Sequence, residues 1–144
     1  MLVSEILRIK GTVLFTTAPD APLLDAVKVM AQNDIGSLVV MDHGRMTGIV
    51  TFAEVLRALA DGEGTIGDKK ISAITEREPL TAAPMIDVNE LRRAMLDRHA
   101  RYVPVMDGTT LLGVVSFHDV AKAVLEEQSF ENQMLKSYIQ DSPG

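Results

Sequence analysis

Cysteine is missing from all 144 residues, which excludes disulfides, thiolate metal centres and a cysteine nucleophile together. That absence fits a reducing compartment. Tryptophan is missing too, and aromatic residues make up only 4% of the chain, few for the stacking platforms that hold single-stranded nucleic acid. Positive charge is also scarce. Fourteen Lys and Arg stand against twenty Asp and Glu, for a net charge of −6, the opposite of the basic footprint that nucleic-acid binding needs. No run approaches the roughly 18 apolar residues of a membrane span, and Glu5 interrupts the first apolar stretch before it reaches signal-peptide length. Gly-rich phosphate loops, nucleophile elbows and paired catalytic carboxylates have no counterpart in the sequence. The three histidines, His43, His99 and His118, lack metal-ligand spacing, and His43 and His99 read as surface residues. These absences predict a cytoplasmic, non-catalytic protein that engages neither membrane nor nucleic acid and carries no metal.

What is present is a core and a repetition. The 47% apolar content is ordinary for a globular domain. A chain of this length buries roughly 68–70% of its unfolded surface without needing staples. The phrase GIVTFAEV at 48–55 returns as GVVSFHDV at 113–120, 65 residues later. The same offset pairs Thr16 with Thr81, Met30 with Met95, and VMD at 40–42 with VMD at 105–107. An internal duplication explains this gap-free match, and its period is too long for the common solenoids.

Both copies share one grammar. An extended stretch ends at a proline. Then comes a helix whose apolar residues fall at helical spacing, as Leu23, Val27, Met30 and Ala31 do. Its second-copy equivalent opens on Asp87 three residues before Glu90, a capping signal. A short apolar strand, a turn, a second strand and a second helix complete each unit. The expected fold is therefore α+β, two β-α-β-β-α repeats packed face to face about a pseudo-twofold axis over a shared core. The repeats span residues 1–66 and 67–125, and a helical tail spans 126–144. DGEGTIGDKK at 61–70 reads as the linker, and the leading phrases VSEIL (3–7) and ISAIT (71–75) match at an offset of 68. Met30, Met41, Met95 and Met106 repeat by duplication and read as core fillers.

The repeated phrase has two chemical readings. Ser116 stands at a strand-to-helix junction with Asp119 three residues on, as Thr51 does with Glu54. That is the spacing of a capping box, which needs no ligand and which Glu suits best; spacing alone favours it. The same helix start also presents free N–H groups and a positive dipole end, which suit a phosphate. A carboxylate one turn in can accept from both hydroxyls of a ribose. The shorter Asp119 suits that two-point grip, and Glu54 suits the cap.

With these phrases the chain resembles the CBS-domain pair, or Bateman module, over roughly residues 1–125. The tail is similar to that of stand-alone bacterial CBS-pair proteins related to the regulatory part of IMP dehydrogenase. The resemblance implies a regulatory module that binds an adenine nucleotide of the AMP, ADP, ATP or NADH class in clefts between the repeats. It implies no catalytic cofactor, Asp119 on the ribose, and Ser116 near phosphate. His118 lies close by, and Thr12, Ile35 and Gly36 of the other repeat surround the base. Arg77, Arg101 and Tyr102 become walls of the second cleft beside Thr51 and Glu54; Glu54 departs from the family pattern, so that this cleft is expected to bind more weakly, bind a different ligand or stay empty. Arg101 is also a candidate for ligand phosphate; Lys10 and Arg8 stand behind these. In the tail, Phe130, Met134 and Tyr138 are spaced as one apolar stripe, with Leu135 and Ile139 alongside. The stripe predicts a homodimer, and a regulatory module implies an effector protein. The competing reading is an interaction protein that takes no ligand, its two phrases serving only as helix caps.

Overall fold

The computed structural model of the chain describes residues 1–11 and 14–141, with side chains in the last helix as far as Ser137. Thr12 and the side chains of Tyr138 and Ile139 therefore lie outside the described residues. The first repeat runs β1 (Thr16–Thr17), α2 (Leu23–Asn33), β2 (Ser37–Asp42), β3 (Arg45–Thr51) and α3 (Phe52–Asp61), preceded by α1 (Val3–Lys10). A single 3₁₀ turn, Ile71–Ala73, leads into α4 (Val88–Arg98), β4 (Tyr102–Asp107), β5 (Thr110–Ser116) and α5 (Phe117–Asp141).

The two copies repeat in detail. Asp87 caps α4 by accepting from the Asn89 N–H at 2.9 Å. Helices α2 and α4 bury Leu23, Ala26, Met30 and Val88, Leu91, Met95 respectively; of the face expected on α2, Leu23 and Met30 are buried, Val27 is half-buried and Ala31 is exposed. Both helices end on a non-glycine residue in left-handed conformation, Asp34 (φ 51°) and His99 (φ 53°). Strands β2 and β3 pair antiparallel with a bulge after Val40, and β4 and β5 do so with a bulge after Val105, its offset partner. The expected first strands are barely strands. β1 pairs two residues with β2, and Ala82 makes a lone bridge to Val105. The tail helix is continuous with the last helix of the repeat, so α5 is a single helix of 25 residues.

Instead of one shared core, the buried apolar residues form two. Leu38, Val40 and Val50 point into a cluster with Leu23, Ala26 and Met30, and Val103, Val105 and Val115 into its counterpart with Val88, Leu91 and Met95. Strand alternation sends Val39 and Ile49 to the opposite sheet face. They are buried there as well, where β3 lies against β5. The repeats therefore meet through the second faces of their sheets, each with its own core behind.

The leading segments cross between the repeats. Val3 and Ile6 of α1 belong to the core of the second repeat, and Ile71 to that of the first. Matching hydrogen bonds hold both segments: Val3 N–H to Ile86 O at 3.0 Å and Val88 N–H to Met1 O at 2.9 Å, against Ile71 N–H to Ala21 O at 2.9 Å and Leu23 N–H to Lys69 O at 2.8 Å. Burying two side chains such as Val3 and Ile6 contributes about 3–6 kcal/mol, a large part of the roughly 5–15 kcal/mol by which whole domains are stable.

Gly48 and Gly113 occupy equivalent places where these segments press on the sheets. A Cβ at Gly48 would overlap the backbone carbonyl of Glu76, whereas one at Gly113 would meet only the tip of the Leu7 side chain. Backbone cannot step aside as a leucine methyl can. Gly48→Ala is expected to lower stability by about 1–3 kcal/mol and Gly113→Ala by clearly less, as read from urea unfolding midpoints. Equal losses would contradict the difference in packing.

Candidate functional site

Two clefts lie between the repeats, related by the same 65-residue offset. The first, of about 610 Å3, has one wall from the early segment and β2 start of repeat one, including Phe15, Ile35 and Gly36, and the other from Val114, Ser116 and His118 of repeat two. The second, of about 470 Å3, sets Leu80, His99 and Ala100 of repeat two against Thr51, Phe52 and Glu54 of repeat one. Both volumes lie within the roughly 300–1,000 Å3 of small-molecule sites.

Ser116, His118, Ile35 and Gly36 are brought together in one cleft; Asp119 is not among its lining residues and adjoins it through its bonds to Lys10 and the Ser116 N–H. Thr51 and Glu54 line the other. Arg101 and Tyr102, expected as walls of the Glu54 cleft, line both clefts. A side chain on Gly36 would overlap the Tyr102 hydroxyl and the Phe52 ring; having none, Gly36 lets Tyr102 reach across the seam. Arg77 is exposed and lines neither cleft. Glu76 is bonded in both directions to Ile49, at 2.9 Å each way. The chain bends at residues 77–78, where the Glu78 N–H donates to Glu76 Oε1 at 2.9 Å; Glu76 and Glu78 line the cleft and Arg77 lies outside it. His43 sits in the β2–β3 turn, 94% exposed, as expected. His99 is exposed at the end of α4, also as expected, and lines the second cleft.

The capping geometry reverses the expected division of labour. Ser116 and Asp119 form the reciprocal box. The Ser116 N–H donates to Asp119 Oδ2 at 2.9 Å, and the Asp119 N–H donates to Ser116 Oγ at 3.1 Å. Thr51 accepts from the Ala53 N–H at 3.2 Å, but its own hydroxyl donates to Glu54 Oε2 at 2.7 Å. The longer glutamate reaches the side chain rather than the backbone. Asp119 carries a further partner that ranked low on sequence: Lys10 Nζ donates to its Oδ2 at 2.7 Å and to the Val114 carbonyl at 3.0 Å. Burial pushes the Asp119 carboxyl up, but the hydrogen bonds from Lys10 and Ser116 outweigh it and hold the group below its ordinary value of 3.8. The only sequence signal for Lys10 was its place at the end of the leading helix. Asp34, at the lip of the first cleft, left none that sets it apart from a helix end.

Among the described residues no helix is long and apolar enough to cross a membrane, and no cluster of His, Cys, Asp or Glu could hold a metal ion.

The model of the CBS domain matches the chain twice, over residues 3–61 and 71–126. A curated relative, the CBS domain-containing protein CBSX3, mitochondrial, of Arabidopsis thaliana, is 33% identical over 96% of this chain and 71% of its own. Among solved structures, a putative signal-transduction protein with CBS domains from Burkholderia ambifaria superposes with a TM-score of 0.82 at 28% identity, covering 89% of this chain and 96% of that one. The CBS domain pair of protein MJ0100, solved in complex with 5′-methylthioadenosine and S-adenosyl-L-methionine, superposes with a TM-score of 0.77 at 26% identity, covering 88% and 98%.

The depressed Asp119 carboxyl has a stability consequence of definite sign. A group whose folded value lies below its unfolded one stabilises the fold fully above the unfolded value. That contribution fades as pH falls through the folded value. Asp119→Asn is expected to cost about 1 kcal/mol at pH 7, since the pair is partly exposed. The difference from the parent protein should shrink toward zero well below pH 3.8, and added salt should weaken it at neutral pH. Urea titrations across that range check this; a cost independent of pH would mean that the charge on Asp119 contributes nothing.

Proposed function

The chain belongs to the CBS-domain family, and on that premise we propose that it is a regulatory module whose first cleft senses an adenine nucleotide. The observation that carries this reading is the first cleft itself. The Ser116 hydroxyl and the start of α5 stand across from Phe15, Ile35 and Gly36 of the other repeat, an apolar slot facing a polar rim, and the Asp119 carboxylate is bonded to the lining residues Lys10 and Ser116. The likeness to a solved CBS pair holding two adenosine compounds supports the ligand class. In this reading the ribose hydroxyls lie on Asp119, the phosphate near Ser116 and the α5 N-terminus, and the base against Ile35 and Gly36. The second cleft is smaller, and its three carboxylates, Glu54, Glu76 and Glu78, are matched by Arg57, Arg98 and Arg101.

A thermal-shift panel of AMP, ADP, ATP, NADH and S-adenosylmethionine tests the reading, because a ligand that binds the folded state raises its melting temperature. Asp119→Ala is expected to weaken the best ligand about ten- to hundredfold by calorimetry, and Glu54→Ala to leave its affinity nearly unchanged. The reverse pattern would transfer the working site to the other cleft. One observation favours the competing reading of a ligand-free interaction protein: the Ser116–Asp119 box is complete as a cap. In that case Asp119→Ala lowers stability, and no member of the panel shifts the parent protein.

The module is further proposed to act as a homodimer. On α5, Phe130, Met134 and Leu135 are 63%, 58% and 58% exposed, an apolar stripe bare on a single chain. Light scattering should find a dimer at about tens of micromolar, and deletion of 128–144 should yield a monomer. A monomeric parent protein would remove the proposal, and a dimer that survives the deletion would place its seam elsewhere.

A further inference from the structure

Lys10 is the last residue of α1 and lines the first cleft. Its ammonium and the Ser116 N–H converge on the same Asp119 oxygen, at 2.7 and 2.9 Å. A lysine therefore already holds the carboxylate that would grip a ribose, and it does so beside the helix start that would receive a phosphate. The pair is not sealed: the side chains are 41% and 21% exposed, and ion pairs this open are weak enough to exchange partners.

A ribose diol spanning both carboxylate oxygens must share Oδ2 with the ammonium or displace it. A phosphorylated ligand compensates for that loss, because its phosphate accepts a charge-assisted hydrogen bond from the released ammonium. An uncharged nucleoside breaks the pair and returns nothing. The cost falls on one ligand class only, which is how a site discriminates by penalty as well as by attraction. The contrast with the other cleft supports this. At the 68-residue offset that relates the leading segments, Lys10 falls on Glu78, and Glu78 lines the second cleft where Lys10 lines the first. The leading segments thus place side chains of opposite charge at equivalent positions in the two clefts.

Resting on the nucleotide-sensing reading, we propose that Lys10 is the specificity-determining residue of the first cleft. It masks Asp119 and yields it to adenosine ligands that carry a phosphate, in preference to uncharged ones.

The test compares AMP with adenosine by calorimetry on the parent protein, Lys10→Gln and Lys10→Arg, with melting temperatures confirming that each variant folds. The parent is expected to prefer AMP by about tenfold or more. Lys10→Gln should lose about tenfold for AMP yet bind adenosine more tightly, so that the preference collapses. Lys10→Arg should keep it. If Lys10→Gln weakens AMP and leaves adenosine unchanged or weaker, Lys10 is a phosphate contact that masks nothing, and the proposal is overturned. Unchanged affinities for both ligands overturn it as well, while leaving the nucleotide-sensing reading intact. A parent protein that binds neither AMP nor adenosine overturns the proposal, and one that binds no member of the nucleotide panel overturns the reading as well.

Discussion

Neither repeat can complete its core from its own residues. Val3 and Ile6 fill the core of the second repeat, and Ile71 fills that of the first. Because each leading segment is also hydrogen-bonded into the opposite repeat, the two units are laced together at both ends. Their sheets are held with the second faces in contact, and this forced pairing creates the clefts. The closing phrase of one repeat stands opposite the early segment of the other only because the leading segments have crossed.

The lacing is symmetric, and the clefts are not. Three substitutions within the duplication break the pseudo-twofold axis. Gly36 faces the space that Tyr102 enters, while the equivalent of Gly36 is Arg101 and that of Tyr102 is Ser37. The larger pair therefore leans over the smaller one, and both clefts share Arg101 and Tyr102 as a wall. The third change lies in the leading segments, which bring a lysine to Asp119 and glutamates to the neighbourhood of Glu54. Two clefts of common origin thus differ in volume and in the side chains the leading segments bring to them.

The atoms at the start of α5 that serve stability are the same ones the proposed recognition would use. Ser116 and Asp119 satisfy each other's backbone donors, which anchors the helix start. That anchoring holds a carboxylate and a hydroxyl rigidly at the cleft edge, the pre-organisation a ligand site benefits from. A complete cap and a ligand site are therefore not alternatives in geometry. They differ in what else can reach the carboxylate.

The sequence by itself determined the elements. Apolar spacing marked Leu23 and Met30 on the buried face of α2, the capping signal at Asp87 marked the start of α4, the duplication marked equivalent strands, and the repeated phrase located Ser116, Asp119, Thr51 and Glu54 at helix starts. These features are local, set by side-chain periodicity and by capping chemistry within one turn, so a linear reading reaches them. The exchange of leading segments, the two cores in place of one, the outward turn of Arg77 and the pairing of Lys10 with Asp119 join residues distant in sequence, up to 109 positions apart for that ion pair. No pattern within a single repeat encodes which copy a leading segment will complete. Only the tertiary structure decides that, because the choice depends on where buried apolar surface is left uncovered once both sheets have met.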